Sequence, residues 1–398
     1  MRNVIKQKVF VPLMLSCAVC THASAQTENI DKEASPLEVT AGLVTSDSLN
    51  PLISDATDAT GYLLAAEGSL VTVQESMWFQ FDYGGTYEDY SLEDDVIGFD
   101  DSQDFYKYNV RILSRTYVHD ALTVDVQASH EKRQQKYGEG ITRFQDDVLS
   151  VDTLTRNFAE TTWVWGRDPK NTAIQFAARW QKDSYDDAND YADLFEFSQV
   201  GIELEGRYAL SEATRFLARF SARQDDYVSD ERVDSDVFRA LVGIDWSITG
   251  KSSLNFLIGG FQRDSADDND NSGFSWDIRY QYTPSDRNVL TLSSKRISTV
   301  SEVEFSSDSI DVINAIDWQY VISDIWNVGF KLNWLDKDLE GVTSTRNIEQ
   351  LDLELAIGFN MSSFHKIELA ASRRDVSSSD NSVDYTQNEV MLLWSYAF

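Results

Sequence analysis

Residues 237–248 read VFRALVGIDWSI, and apolar side chains occupy every second position of this stretch. The apolar set is Phe238, Ala240, Val242, Ile244, Trp246 and Ile248. The intervening positions carry charge at Arg239 and Asp245. A strict period of two predicts a β-strand whose two faces meet different surroundings. Charge on the second face is difficult to reconcile with the dry core of a soluble sandwich or propeller, the alternative all-β folds.

The same alternation recurs along the chain in runs of about ten residues, which is the length that a tilted strand needs to cross a bilayer. Further examples are Leu254–Ile258, Trp276–Tyr282, Trp326–Trp334 and Val390–Phe398. No apolar run after residue 25 approaches the roughly 20 residues of a membrane helix. The pattern therefore predicts membrane-spanning strands and excludes a helical membrane protein.

Short and long polar spacers alternate between these runs. The eight short ones lie at 73–76, 118–121, 166–171, 210–214, 250–252, 284–287, 322–324 and 362–364. The nine long ones lie at 45–59, 88–104, 136–155, 182–194, 224–235, 264–273, 297–308, 337–346 and 375–384. This rhythm predicts an all-β fold, a transmembrane antiparallel β-barrel of about 18 strands, with 16 possible. It places short turns in the periplasm and long acidic loops outside the cell.

The chain is strongly acidic. Its 398 residues contain 66 Asp and Glu against 34 Lys and Arg, for a net charge of -32. Nucleic acid is a poor partner for such a surface, since its phosphates require basic side chains. The predicted loop Glu88–Asp104 alone has eight acidic residues and no Lys or Arg. At a lipopolysaccharide surface such loops could collect divalent cations, although most acidic runs are simply solvated.

The first 25 residues have the features of a secretory signal peptide. Basic residues precede an apolar stretch at Val9–Val19, and Ala23-Ser24-Ala25 forms a small-residue cleavage site. We therefore expect a signal peptide over 1–25, a short periplasmic segment over 26–36 and an outer-membrane barrel over 37–398. Both cysteines, Cys17 and Cys20, fall within the signal peptide, so the mature chain has no disulfide or cysteine metal site.

The lumen of such a barrel receives the charged set. The candidate pore-lining residues are Arg111, Arg115, Arg179, Arg219, Arg223, Arg239, Arg279, Lys331 and Arg374. Two interpretations are open for them. They pair with carboxylates on neighbouring strands and leave a nearly neutral wall, or they form a positive path for an anionic solute or polymer.

Catalysis and cofactor binding find little support in the sequence. The histidines after the signal peptide, His119, His130 and His365, are predicted near opposite rims of the barrel and cannot form one site. No Ser/His/Asp arrangement, phosphate-binding loop or His-based metal spacing can be assembled. We expect no catalytic residues, no metal site and no cofactor.

The end of the sequence resembles the signal that the outer-membrane barrel assembly machinery reads, a last strand that terminates on an aromatic residue. The residues concerned are Trp394, Tyr396 and Phe398. With the early strand Leu37–Leu43 and the aromatic strand Tyr106–Tyr117, this terminus also resembles the β-barrel porins associated with exopolysaccharide secretion, the EpsL-like or Wzp-type outer-membrane barrels. That resemblance implies a channel passing a surface polysaccharide, working with a periplasmic polysaccharide-export protein. It carries no residue-level site.

Three classes of function follow. The first is an export channel for exopolysaccharide through a water-filled, charged lumen. The second is a general or solute-selective diffusion porin for small hydrophilic solutes. An outer-membrane enzyme or adhesin ranks below both.

Overall fold

In the computed structural model the chain forms 18 antiparallel strands in one closed sheet. The structure describes residues 36–49, 58–93, 102–137, 140–141, 151–168, 172–186, 191–266, 270–303, 306–340, 345–379 and 384–398. The predicted signal peptide and nearly all of the segment 26–36 lie outside these residues. In the described part of the chain, no helix is long and apolar enough to cross a membrane.

The strands follow one another around the wall in chain order. The first nine are β1 Glu38–Ser46, β2 Ala59–Gln74, β3 Met77–Leu92, β4 Ser102–His119, β5 Leu122–Gln134, β6 Thr153–Asp168, β7 Thr172–Asp186, β8 Phe197–Ala209 and β9 Thr214–Tyr227. The other nine are β10 Ser235–Thr249, β11 Ser252–Ser265, β12 Asn271–Ser285, β13 Asn288–Val303, β14 Ser306–Val321, β15 Trp326–Glu340, β16 Thr345–Asn360, β17 His365–Ser378 and β18 Tyr385–Ala397. A 3₁₀ turn at Ala192–Phe195 precedes β8.

The barrel closes between the first and the last strand. β1 and β18 pair antiparallel from Glu38 with Ala397 to Ser46 with Glu389. The backbone N–H of Phe398 also donates to the carbonyl of Leu37 at 2.9 Å. Closure leaves no free sheet edge at this position, which is a requirement for strands that cross a bilayer. The predicted count of 18 strands is confirmed.

Apolar side chains cover the outside of the wall. Leu43 is 65% exposed, Val242 52% and Leu392 48%, as expected for positions that meet lipid instead of water. Their immediate neighbours along each strand point into the lumen. The exposed apolar positions are those that the period of two assigns to the lipid-facing side.

The strands run further than predicted at one end of the barrel. At each of the eight predicted short spacers one strand ends and the next begins. We call this end, which also contains Leu37 and Phe398, the turn end. At the opposite loop end, strands take over part of each predicted long loop. The largest difference is at 297–308, predicted as a loop, where β13 continues to Val303 and β14 begins at Ser306. The β-branched residues Ile297, Thr299, Val300 and Val303 favour this extension.

Two local predictions were wrong. Glu88, predicted in an acidic loop, belongs to β3 and is 4% exposed. Pro284, predicted in a turn, belongs to the last turn-end residues of β12, where the pairing with β13 is interrupted between Tyr282 and Ser285. Such an irregularity accommodates a residue that has no N–H to donate.

The pairing of β12 with β13 ends halfway along the wall. Its last described pair towards the loop end joins Trp276 and Arg296. Beyond that pair, β12 continues beside β11 as far as Asn271, and β13 continues beside β14 as far as Val303. The β13–β14 hairpin is thus free to lean away from β12.

The hairpin leans into the lumen. One cavity is lined both by residues of β5–β8 and by residues of β13–β15, among them Arg156, Asp183, Thr299 and Lys337. At a strand spacing of about 4.8 Å, the five spacings from β8 to β13 span about 24 Å along the wall. Side chains from both groups can line one cavity only if the loop end of β13–β14 lies across the opening.

Candidate functional site: a basic constriction in the lumen

Six of the nine predicted pore-lining residues form ion pairs within the barrel. The pairs are Arg111–Asp82 at 2.9 Å, Arg115–Asp125 at 2.6 Å, Arg179–Glu160 at 3.5 Å, Arg219–Glu205 at 2.7 Å, Arg223–Asp225 at 2.7 Å and Arg374–Asp352 at 2.9 Å. Several of them join neighbouring strands, as cross-strand pairs of opposite charge do. For these six residues the structure agrees with the interpretation of a compensated wall.

The other three predicted residues have no carboxylate within 4.0 Å in the described part of the chain: Arg239, Arg279 and Lys331. Arg239 on β10 instead donates from Nε to the hydroxyl of Ser275 at 2.7 Å and from Nη2 to the carbonyl of Trp276 at 3.0 Å. Both acceptors are uncharged. The positive charge of Arg239 is therefore left without a direct counter-ion.

Lys295 on β13 belongs to the same group, although the sequence analysis did not single it out. It lies opposite Asp277 in the pairing of β12 with β13. Among the described residues it makes no hydrogen bond and no ion pair, since Asp277 is held by Arg219 at 3.3 Å. Leu290 and Leu292 are on the lipid-facing side of β13. The period of two would therefore have placed Lys295 on the opposite side, in the lumen.

These side chains converge on a cavity of about 70 Å³, which we call the constriction cavity. Its charged lining is Arg179, Arg219, Arg223, Arg239 and Lys295, with the carboxylates Glu203 and Asp277. Both carboxylates are already engaged. Glu203 lies 3.5 Å from Arg179 and 3.7 Å from Arg219, which also holds Asp277. The cavity thus has more positive than negative charge on its wall.

The loop-end half of β13 is held by arginines from β9, from β11 and from the segment between β9 and β10. Arg223 donates to the carbonyl of Ser298 at 3.4 Å, Arg263 to that of Thr299 at 3.0 Å and Arg232 to that of Ser301 at 2.7 Å. Arg232 is 5% exposed, and its guanidinium lies 4.8 Å from the ring centroids of Phe195 and Tyr227. Together these bonds tie the loop-end half of β13 to other parts of the barrel and fix the hairpin across the lumen.

The residues that follow β5 cover the opposite side of the loop end. Lys136 binds Glu88, and Tyr90 also donates to Glu88. Phe105 packs edge-on against Tyr90 and Tyr137, with centroids 5.9 Å and 6.1 Å apart. Burial raises the pKa of Tyr137 to about 12, so its hydroxyl stays protonated at neutral pH.

Apolar side chains also point into the lumen, beside the charged set. Leu217, Leu241 and Leu257 form one buried cluster beside Gly243. A second one contains Leu63 and Leu393 on β2 and β18. The strand alternates between its two faces whether an inward residue is apolar or polar. Only the structure of the closed barrel therefore shows that these leucines pack against one another inside it.

Two other groups of predicted residues lie at the turn end. Trp394 and Phe398 of the predicted assembly signal face outward, at 44% and 61% exposure, and the Tyr396 ring packs 4.6 Å from that of Phe398. His119 ends β4 and His365 begins β17, whereas His130 lies within β5 and contacts Asn157 at 2.9 Å.

Comparison with known proteins gives a likeness of fold. No family model and no curated protein matches the chain. The FrpB iron transporter of Neisseria meningitidis superposes with a TM-score of 0.50 at 8% identity, over 94% of this chain and 82% of that one. Acinetobacter baumannii OccAB2 gives 0.44 at 10% identity, over 92% and 98%. Pseudomonas aeruginosa OccK9 gives 0.45 at 12%, over 92% and 99%.

The fold and its outer surface locate the protein. A closed barrel of 18 antiparallel strands with apolar side chains facing outward is the architecture of outer-membrane barrels. The chain is therefore an outer-membrane β-barrel of a Gram-negative bacterium. The resemblance to polysaccharide-secretion porins gains no support from these comparisons.

Proposed function

We propose that the barrel is a channel for small hydrophilic solutes, whose passage is limited by the constriction cavity. The observation that carries the proposal is the charged lining of that cavity, where side chains of six strands meet. Unpaired charge in a dry interior costs several kcal/mol for each ion, so this lining requires water. A hydrated, charged lumen favours polar solutes.

Export of an extended surface polysaccharide, with help from a periplasmic export protein, is the less favoured function. A polymer would have to pass the inward-leaning β13–β14 hairpin and a constriction cavity of about 70 Å³. Export would therefore require the hairpin to move. The small-solute channel requires no such movement, and neither function assigns a chemical reaction to the barrel.

A size-dependent swelling experiment tests the proposal. Liposomes containing the purified barrel should swell quickly in arabinose, slowly in a tetrasaccharide and not at all in dextran. The variant Ser221→Trp places a large side chain in the constriction cavity and should slow arabinose entry. The matched control Ala218→Trp lies on the same strand but faces lipid, so its swelling should equal that of the wild type.

Three results would contradict the proposal. One is the absence of swelling in arabinose with a barrel that migrates as folded protein. Another is rapid entry of dextran, which would favour polymer export. The third, equal entry in the two tryptophan variants, would show that solutes bypass the constriction cavity.

A further inference from the structure

Two cationic side chains in the constriction cavity have no counter-ion among the described residues. Lys295 makes neither a hydrogen bond nor an ion pair, although its ammonium carries three donors. Arg239 donates hydrogen bonds to two uncharged oxygens, the hydroxyl of Ser275 and the carbonyl of Trp276. Both line the same cavity.

The carboxylates of the cavity cannot supply the missing charge. Glu203 is shared by Arg179 and Arg219, and Asp277 is held by Arg219. Arg223 is paired with Asp225, which does not line the cavity. Both carboxylates of the cavity are thus bound by other arginines. The positive charges of Arg239 and Lys295 therefore have no counter-ion among the described residues.

From this geometry we propose that the constriction cavity binds a small oxyanion, through Arg239 and Lys295. The ligand is a carboxylate or phosphate group, either as a free ion or at the end of a small solute. A guanidinium and an ammonium are the two side chains best suited to such a group, because each donates charge-assisted hydrogen bonds to its oxygens. The inference names the solute class of the proposed channel and rests on that function.

Size supports the choice of ligand. A cavity of about 70 Å³ has room for a small oxyanion together with water. Small neutral sugars also pass in the proposed channel, so discrimination between solutes rests on the charge of Arg239 and Lys295. The cavity therefore selects by charge at one point of the path.

Calorimetric titration of the folded barrel in detergent tests the site directly. Inorganic phosphate and acetate serve as probes at fixed ionic strength, one for each oxyanion class. We expect both to bind, and Lys295→Gln to weaken binding at least tenfold. Because Lys295 makes no hydrogen bond and no ion pair among the described residues, this variant should fold normally. Arg239→Gln should also weaken binding, with its folding checked by heat-modifiable migration.

Lys331→Gln is the matched control. Lys331 is another lumen-facing lysine without an ion pair in the described residues, and it does not line the constriction cavity. Its loss removes the same charge from the lumen, so unchanged binding in this variant shows that the effect of Lys295 is local. Equal weakening in both variants would reduce the site to general electrostatic attraction and overturn the inference.

The remaining outcomes also decide the matter. No binding of either probe to the wild-type barrel overturns the site, and so does full binding to Lys295→Gln. If arabinose enters liposomes while neither probe binds, the oxyanion site fails and the channel stands. If the probes bind at Lys295 while no solute enters, the site stands and the channel fails.

Discussion

The guanidinium of Arg219 on β9 lies 3.3 Å from the carboxylate of Asp277 on β12, and thus joins two strands that have two others between them. The same guanidinium holds Glu205 at 2.7 Å on its own side of the wall. Arg219 is therefore a bridge inside the lumen and not a free charge along the path. This single pairing is what separates Asp277 from Lys295, its neighbour in the sheet.

Release of the β13–β14 hairpin should widen the channel. Arg232→Ala removes the bond to the carbonyl of Ser301 and the stacking on Phe195 and Tyr227, so we expect a larger single-channel conductance in planar bilayers. Arg373→Ala is the control, because Arg373 is exposed and pairs with Asp375 on its own strand. An unchanged conductance in Arg232→Ala would mean that this bond does not hold the hairpin.

The orientation of the barrel can be read from cysteine labelling, since the only two cysteines lie in the predicted signal peptide. Asp230→Cys places an exposed thiol in a loop between β9 and β10, and Glu212→Cys places one in a turn between β8 and β9. A membrane-impermeant maleimide should label intact cells at position 230 only. Labelling at 212 alone would reverse the predicted topology.

Arginine substitutions should distinguish the two faces of β12. Ile278→Arg puts a charge into the lipid-facing surface near the middle of the strand and should lower the free energy of unfolding by about 2–4 kcal/mol. Gln281→Arg adds the same charge on the lumen side and should be tolerated. Urea titration of both variants, refolded into lipid, gives the comparison; similar losses would contradict the assignment of faces.

Gly243 should tolerate no larger residue. A Cβ at this position would lie 1.8 Å from the carbonyl oxygen of Phe256, between the side chains of Leu217 and Leu257. Gly243→Ala should therefore lower the free energy of unfolding by about 1–3 kcal/mol, as overpacking does. At Gly206 a Cβ would meet nothing within 4 Å, so Gly206→Ala should leave stability unchanged.

Loss of the terminal aromatic ring should impair insertion into the outer membrane. Phe398→Ser removes the ring that packs on Tyr396 but keeps the backbone bond to Leu37, so a defect would be one of recognition by the assembly machinery. The control Ala397→Ser changes the adjacent inward position. The amount of heat-modifiable barrel in outer-membrane fractions measures both, and equal amounts would remove the predicted role.

The sequence predicts the wall of the barrel well because, within each strand, apolar residues mark the side that faces lipid and polar residues mark the side that faces water. In β10, Val242 must meet lipid and Arg239 must meet water, and this difference is visible at every second residue. Spacer lengths then set the number of hairpins and which end has short turns. These properties depend on neighbours in the chain, so no knowledge of the distant strands is needed.

The constriction could not be predicted in the same way. Nothing near Arg219 in the chain indicates that it would take Asp277, 58 residues away, and so leave Lys295 without a partner. Nothing near Ser298 indicates that β13 would separate from β12 and receive hydrogen bonds from Arg223. The sequence alone determined a closed, lipid-facing barrel with charge in its lumen. Only the tertiary structure decided which charges cancel, because ion pairing depends on distances between side chains from strands that closure of the barrel brings together.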